Sequence, residues 1–163
     1  MSRTFSVFVL YCLLTAALTH PLLRQLGSAF PHDPGDPALN TWILWWNAQT
    51  IPLTTAWWNA PAFYPVKGVL SFSETLVGLT LLSTPMQWLG SSPLMAYNVV
   101  FLLTFPLCGI AAYLLAMEIT RRRDAAFIAG VLFMFAPYRM SHVPHLQVLA
   151  AFGMPIALLA LHR

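Results

Sequence analysis

A chain of 163 residues that is 58% hydrophobic and only 8% charged cannot clothe a soluble surface. Ordinary soluble domains carry about 25% charged residues, so the composition points to an integral membrane protein. The formal net charge of +3 gives no case for a nucleic-acid partner, because the basic residues form no groove-like stripe and act instead as topology marks. Cys12 and Cys108 both lie in apolar segments and read as small buried hydrophobes, not as a disulfide or a metal pair.

The first apolar segment, about 5–23, follows Arg3 and has nearly the roughly 20 residues that a spanning helix needs. A cleaved signal peptide is the competing reading, but no small-x-small site precedes Arg24, so a retained first span is expected. With Arg3 on the cytoplasmic side, the chain emerges on the outer face. There it meets Pro31-His32-Asp33-Pro34-Gly35-Asp36-Pro37, which is strong turn chemistry and also holds two of the five acidic residues. Asp36 is placed to cap a helix over about 37–50, with Pro37 at its first position. Leu39, Trp42, Ile43 and Trp46 follow helical spacing, while Asn40 and Asn47 fall on another face. The tryptophans suit a bilayer interface, so this helix is expected to lie in the interface plane, with Trp57-Trp58 extending the aromatic belt.

Phe63-Tyr64-Pro65-Val66-Lys67-Gly68 reads as a turn back to the membrane, with Ser71 or Ser73 as the next helix cap and Glu74 at that helix's positive end. No charged residue occurs from Thr75 to Met117, and Gly90-Ser91-Ser92-Pro93 splits that run. Arg121-Arg122-Arg123 then marks the cytoplasmic side. An odd number of crossings must separate it from the outer acids. We therefore expect 94–119 to span, and 75–90 to form an interfacial or re-entrant helix that does not cross. The alternative has both segments crossing and the arginines outside. Segments 125–138 and 146–161 are the remaining expected spans, joined by an outer loop carrying Arg139, His142 and His145. His162 and Arg163 close on the cytoplasmic side.

The fold class expected is thus all-α: a polytopic membrane helix bundle with juxtamembrane helices in a long first outer loop, over a single membrane domain 1–163. Asp33, Asp36, Glu74, Arg139, His142 and His145 collect at one membrane face, where ionisable groups are costly unless they serve a site. Each also has a plainer role. Arg139 and Lys67 can bind lipid phosphates or stay solvated, and Glu74 can serve as a helix-end charge. The i, i+3 spacing of His142 and His145 would put both rings on one face of a helix and could hold a metal, although a pair of histidines without fixed partners is more often structural. A carboxylate on the outer face can remove a proton from an acceptor, and nearby cations can hold a phosphate leaving group.

This arrangement resembles the N-terminal part of the GT-C superfamily of membrane glycosyltransferases, of the mannosyltransferase and aminoarabinose-transferase type. The likeness lies in a first span, a long outer loop with an acidic motif (Asp33, Asp36), juxtamembrane helices, a span ending at Arg121-Arg122-Arg123-Asp124-Ala125-Ala126, and Phe135-Ala136-Pro137-Tyr138-Arg139 leading to His142 and His145. The two acids here are separated by Pro-Gly, unlike the family's adjacent or once-spaced pair, which leaves open which of them is the base. The resemblance implies that this chain is the N-terminal part of a longer bundle, inactive if severed from the rest. It also implies transfer of a sugar from a polyprenyl-phosphate donor on the outer face, with Asp33 or Asp36 acting as base or helping to position the acceptor. Arg139, His142, His145 and Lys67 would face the donor phosphate, and Glu74, from its own position, is read as a further substrate-binding residue. A divalent metal is used by some members and not by others, and no metal ligand is assigned. The localisation implied is multi-pass in a bacterial inner membrane, with the N-terminus cytoplasmic and the acceptor unknown. The reading from a different class is a non-catalytic transporter or lipid-binding scaffold with the same outer vestibule.

Overall fold

Prolines set where many of the helices of this chain begin and end. The computed structural model describes residues 3–52 and 54–163, and it is all-helical, with no strand among them. α1 (Arg3–Leu18) stops just short of His20-Pro21, since a residue before proline is pushed out of the α region. α5 (Arg123–Met134) likewise stops before Ala136-Pro137, and α6 (Pro137–Ser141) starts on that proline, whose missing N–H costs nothing at a first position. α2 (Gly35–Gln49), α3 (Val77–Trp88), α4 (Pro93–Thr120), α7 (Leu146–Leu149) and α8 (Gly153–His162) complete the set, with 3₁₀ turns at Leu22–Arg24, Thr55–Trp58 and Val69–Phe72.

Length then separates these helices. At 1.5 Å per residue the 28 residues of α4 reach about 42 Å, beyond the roughly 30 Å of a hydrocarbon core. Among the described residues, α4 is the one helix long and apolar enough to cross a membrane. The 16 residues of α1 reach about 24 Å. The stretch 146–161 carries two helices, α7 and α8, separated at Ala150–Phe152, where α8 begins afresh with Pro155 in its first turn.

The described residues fall into two compact units. One comprises the residues up to Gln25 together with Phe101–Arg163, and the other Leu26–Val100. In the first, α1, α4 and α5 meet on glycines. A Cβ on Gly130 would lie 2.0 Å from Tyr11 Oη and 2.8 Å from the Gly109 carbonyl, and one on Gly109 would lie 2.3 Å from Met134 Sδ. Tyr11 Oη donates to the Phe127 carbonyl at 3.0 Å, and its ring stacks on Phe127. α4 and α5 are joined at Arg121, which takes the left-handed conformation usual for glycine after a helix end (φ 56°). Glu118 accepts from Arg121 at 2.7 Å and from Arg163 at 3.0 Å, which fixes the end of α4 beside the end of α8.

In the second unit α2 packs on α3 through side chains that bond across to the partner helix or to the loops that flank it. Asn47 is fully buried; its Nδ2 donates to the Thr75 carbonyl and to Thr80 Oγ1, both at 2.8 Å, and its Oδ1 accepts from Trp57 Nε1 at 2.7 Å. Trp46 Nε1 donates to the Trp57 carbonyl, Gln87 Nε2 to that of Leu44 and Trp88 Nε1 to that of Ala48. The buried face of α2 therefore runs through Pro37, Asn40, Ile43, Leu44, Asn47 and Ala48. Ile43 shares this face, whereas Leu39, Trp42 and Trp46 lie off it, and the face that carries the two asparagines is the inward one. For Asn47 the chain that follows supplies the acceptors and the donor.

Gly130→Ala is expected to destabilise the protein by about 1–3 kcal/mol through overpacking, because a backbone carbonyl as well as a side chain bounds the site. Gly78→Ala, whose Cβ would meet nothing within 4 Å, serves as the control and should melt no lower than the wild type. Thermal unfolding in detergent compares the two.

Candidate functional site

The acidic motif sits at the start of α2. Asp33 is exposed, and its Oδ1 accepts from the Gly35 amide at 3.2 Å, closing the turn that launches the helix. Pro34 is the N-cap, so Asp36 is the second helical residue and not the cap, and Pro37 is the third. The position still suits Asp36, because free N–H groups and the helix dipole favour a carboxylate in the first turn. Half-buried Asp36 lies within electrostatic reach of the Tyr97 phenol, which is buried near the start of α4 and packs edge-on against Phe30. Asn98 beside it donates to the carbonyls of Leu26 (2.7 Å) and Ala29 (2.8 Å), tying the segment before the acids to α4.

Glu74 is half-buried and accepts from Ser73 Oγ at 2.6 Å. Ser71 Oγ donates to the Gly68 carbonyl. Neither serine caps α3; its N-cap is Leu76, held at φ 51°. Lys67 is exposed in the turn before Gly68, whose φ of 70° and amide bond to Asn59 Oδ1 set the reversal. An apolar groove of about 430 Å³ opens in this unit, lined by Leu39, Trp42, Ile43, Phe63, Phe72 and Ser73, among others. Asp36 lies one helical turn before Leu39, and Glu74 directly follows Ser73.

Arg139, His142 and His145 belong to the other unit, whereas Asp33, Asp36, Lys67 and Glu74 belong to Leu26–Val100. Arg139 is 4% exposed. Its Nη1 donates to the Phe133 carbonyl at 3.2 Å and to that of Met134, and its Nη2 donates to the Leu149 carbonyl at 2.6 Å. The guanidinium thus fills acceptors left open by the ends of α5 and α7, and it lies over the rings of Phe105 and Phe133. Cys108 Sγ donates to the same Leu149 carbonyl.

α6 stops at Ser141, so the two histidines do not share a helix, yet their ring centroids are 5.5 Å apart. His142 Nδ1 lies 2.7 Å from the Tyr138 carbonyl. A carbonyl only accepts, so Nδ1 carries the proton and Nε2 of the neutral ring is left as the base or ligand atom. Among the described residues no three His, Cys, Asp or Glu side chains converge as a metal site.

Sequence reasoning passed over Asn40. It is fully buried on α2, and among the described residues neither its Oδ1 nor its Nδ2 has a hydrogen-bond partner. Its i+7 spacing to Asn47, on a helix that starts with Asp36, was the available signal for a polar seam. No protein-family model matches the chain, and no curated protein and no solved structure matches it.

The opposite end of the first unit carries its own charge pair. Arg122 Nη2 lies 2.6 Å from Asp124 Oδ2, and that bond, with the Ala125 amide, holds the Asp124 carboxyl down to about 2. Because the folded value lies below the unfolded one, the stability this exposed pair contributes is present above the ordinary value of 3.8 and is lost as pH falls through about 2. Asp124→Asn should therefore melt below the wild type at neutral pH and together with it once both are below that range, with a small gap that salt narrows further.

Proposed function

We propose that this chain is part of a multi-pass membrane glycosyltransferase that takes its sugar from a polyprenyl-phosphate donor at the outer face of the membrane. The observation that carries the reading is the groove of about 430 Å³ in the Leu26–Val100 unit, which combines an apolar, aromatic wall with Asp36 one turn from Leu39 and Glu74 next to Ser73. An apolar groove suits a long hydrocarbon chain, and carboxylates that neighbour its lining residues in the sequence suit a reacting polar head. Beyond α4, the multi-pass character is supported by apolar side chains exposed on α1, α5 and α8, including Leu10, Leu13, Leu132, Leu158 and Leu161.

In this reading an acceptor hydroxyl attacks the anomeric carbon of the donor. Asp33 or Asp36 takes the proton from that hydroxyl, the new C–O bond forms, and the bond to the phosphate breaks with the electron pair leaving on the lipid phosphate. Lys67, in the same unit as the acids, stabilises that developing charge.

Sugar transfer from a polyprenyl-phosphate donor, followed in membranes containing the full-length gene product, tests this. Asn in place of whichever of Asp33 and Asp36 is the base is expected to lower transfer by about 10²–10⁴-fold, the usual contribution of a general base, so Asp33→Asn and Asp36→Asn are compared side by side. Undiminished transfer in both variants would remove the acids from the chemistry. A wild type that binds lipid but transfers nothing would leave the lipid-binding scaffold in its place.

A further inference from the structure

The groove beside Arg139 has no part in the chemistry above. Its volume is about 450 Å³, and its walls include Phe133, Tyr138, Arg139, Gln147, Ala151 and Met154. Neither His142 nor His145 lines it. The wall is apolar except for Gln147 and one buried charge. Arg139 is surrounded by carbonyls and by the rings of Phe105 and Phe133, and no carboxylate of the described residues pairs with it. A guanidinium has five N–H donors, and Nε finds no acceptor among the described residues. Carbonyl dipoles satisfy hydrogen bonds but leave the full unit of charge in place, and a buried charge without a countercharge is costly. The groove's rim supplies the second part of the pattern: Tyr138 is 65% and Met154 59% exposed, so the cavity opens among apolar side chains that water does not favour.

We propose that this groove seats an anionic phospholipid. Its acyl chain lies along Tyr138 and Met154, its singly charged phosphodiester neutralises Arg139, and the Gln147 amide is a second donor to the same head. One uncompensated guanidinium calls for one negative charge, which a phosphodiester carries, and Arg is the cation best matched to phosphate oxygens. The inference rests on the membrane part of the reading above and not on sugar transfer. It makes Arg139 a residue that joins the ends of α5 and α7 most firmly when lipid is bound.

The test is native mass spectrometry of the full chain released from membranes of equal phosphatidylglycerol and phosphatidylcholine content. The wild type should retain phosphatidylglycerol about tenfold or more over phosphatidylcholine. Ala151→Trp fills the groove while leaving the three carbonyl bonds of Arg139 in place, and it should lose that preference. Arg139→Gln should lose it too, and Ala151→Trp decides the matter if Arg139→Gln does not fold. Equal retention of the two lipids by the wild type, no retained lipid at all, or an unchanged preference in Ala151→Trp overturns the proposal. So does displacement of the lipid by inorganic phosphate, which would show recognition of the head without the chain. Transfer activity plays no part in this readout, so an inactive protein that keeps the lipid and an active one that does not are told apart.

Discussion

Backbone carbonyls that proline and loop breaks leave open must find donors inside an apolar chain, and side chains supply them throughout this structure. An unpaired carbonyl in a low-dielectric surrounding costs on the order of 1–3 kcal/mol, so each break calls for a named partner. Arg139 answers the ends of α5 and α7. Asn98 answers Leu26 and Ala29, Asn47 answers Thr75, and Trp46 answers Trp57. Tyr11 reaches Phe127 from α1, which it can do because Gly109 and Gly130 carry no side chain in its way. The few polar residues of the chain are largely spent on this task.

That economy explains what could and could not be seen in advance. Apolar runs and their polar breaks marked the helices well, because α2, α3 and α4 each follow a cluster of Pro, Gly or Ser and then continue with helical periodicity. Helix lengths were harder. Hydrophobicity ran through His20-Pro21, Ala136-Pro137 and Met154-Pro155 without a dip, whereas the backbone stopped or restarted at each. Which face of α2 turns inward was not legible, because Asn looks like a surface residue until the acceptors that pair Asn47, twenty-eight and thirty-three residues on, are known. The same holds for Ser71 and Ser73, whose hydroxyls found nearer acceptors than the amides of α3.

The candidate site shows a similar split. Asp33 and Asp36 stood out by rarity, and their turn and helix-start positions were legible from Asp-Pro-Gly-Asp-Pro. Arg139 stood out equally as a lone charge, but its burial and its carbonyl partners depend on where α5 and α7 end, which no local pattern encodes. The groove lined by Leu39, Trp42, Phe63 and Phe72 joins residues from α2 and from the loop that follows it, and on the proposed reading Trp42, Phe63 and Phe72 form a wall for hydrocarbon. The acids belong to one unit and the histidines to the other. Transfer at the outer face requires that the acids lie on that side of the membrane.

Sidedness is therefore the measurement that bears most directly on the proposal. With Cys12 and Cys108 replaced, single cysteines at Asp36→Cys, Arg122→Cys and His142→Cys would be challenged with a membrane-impermeant thiol reagent on intact cells. Labelling at positions 36 and 142 with 122 protected is the predicted result, and it puts acids and histidines on the outer face with the arginine turn in the cytoplasm. Labelling at 122 with 142 protected would reverse the topology from α4 onward and contradict the multi-pass arrangement on which the proposal stands.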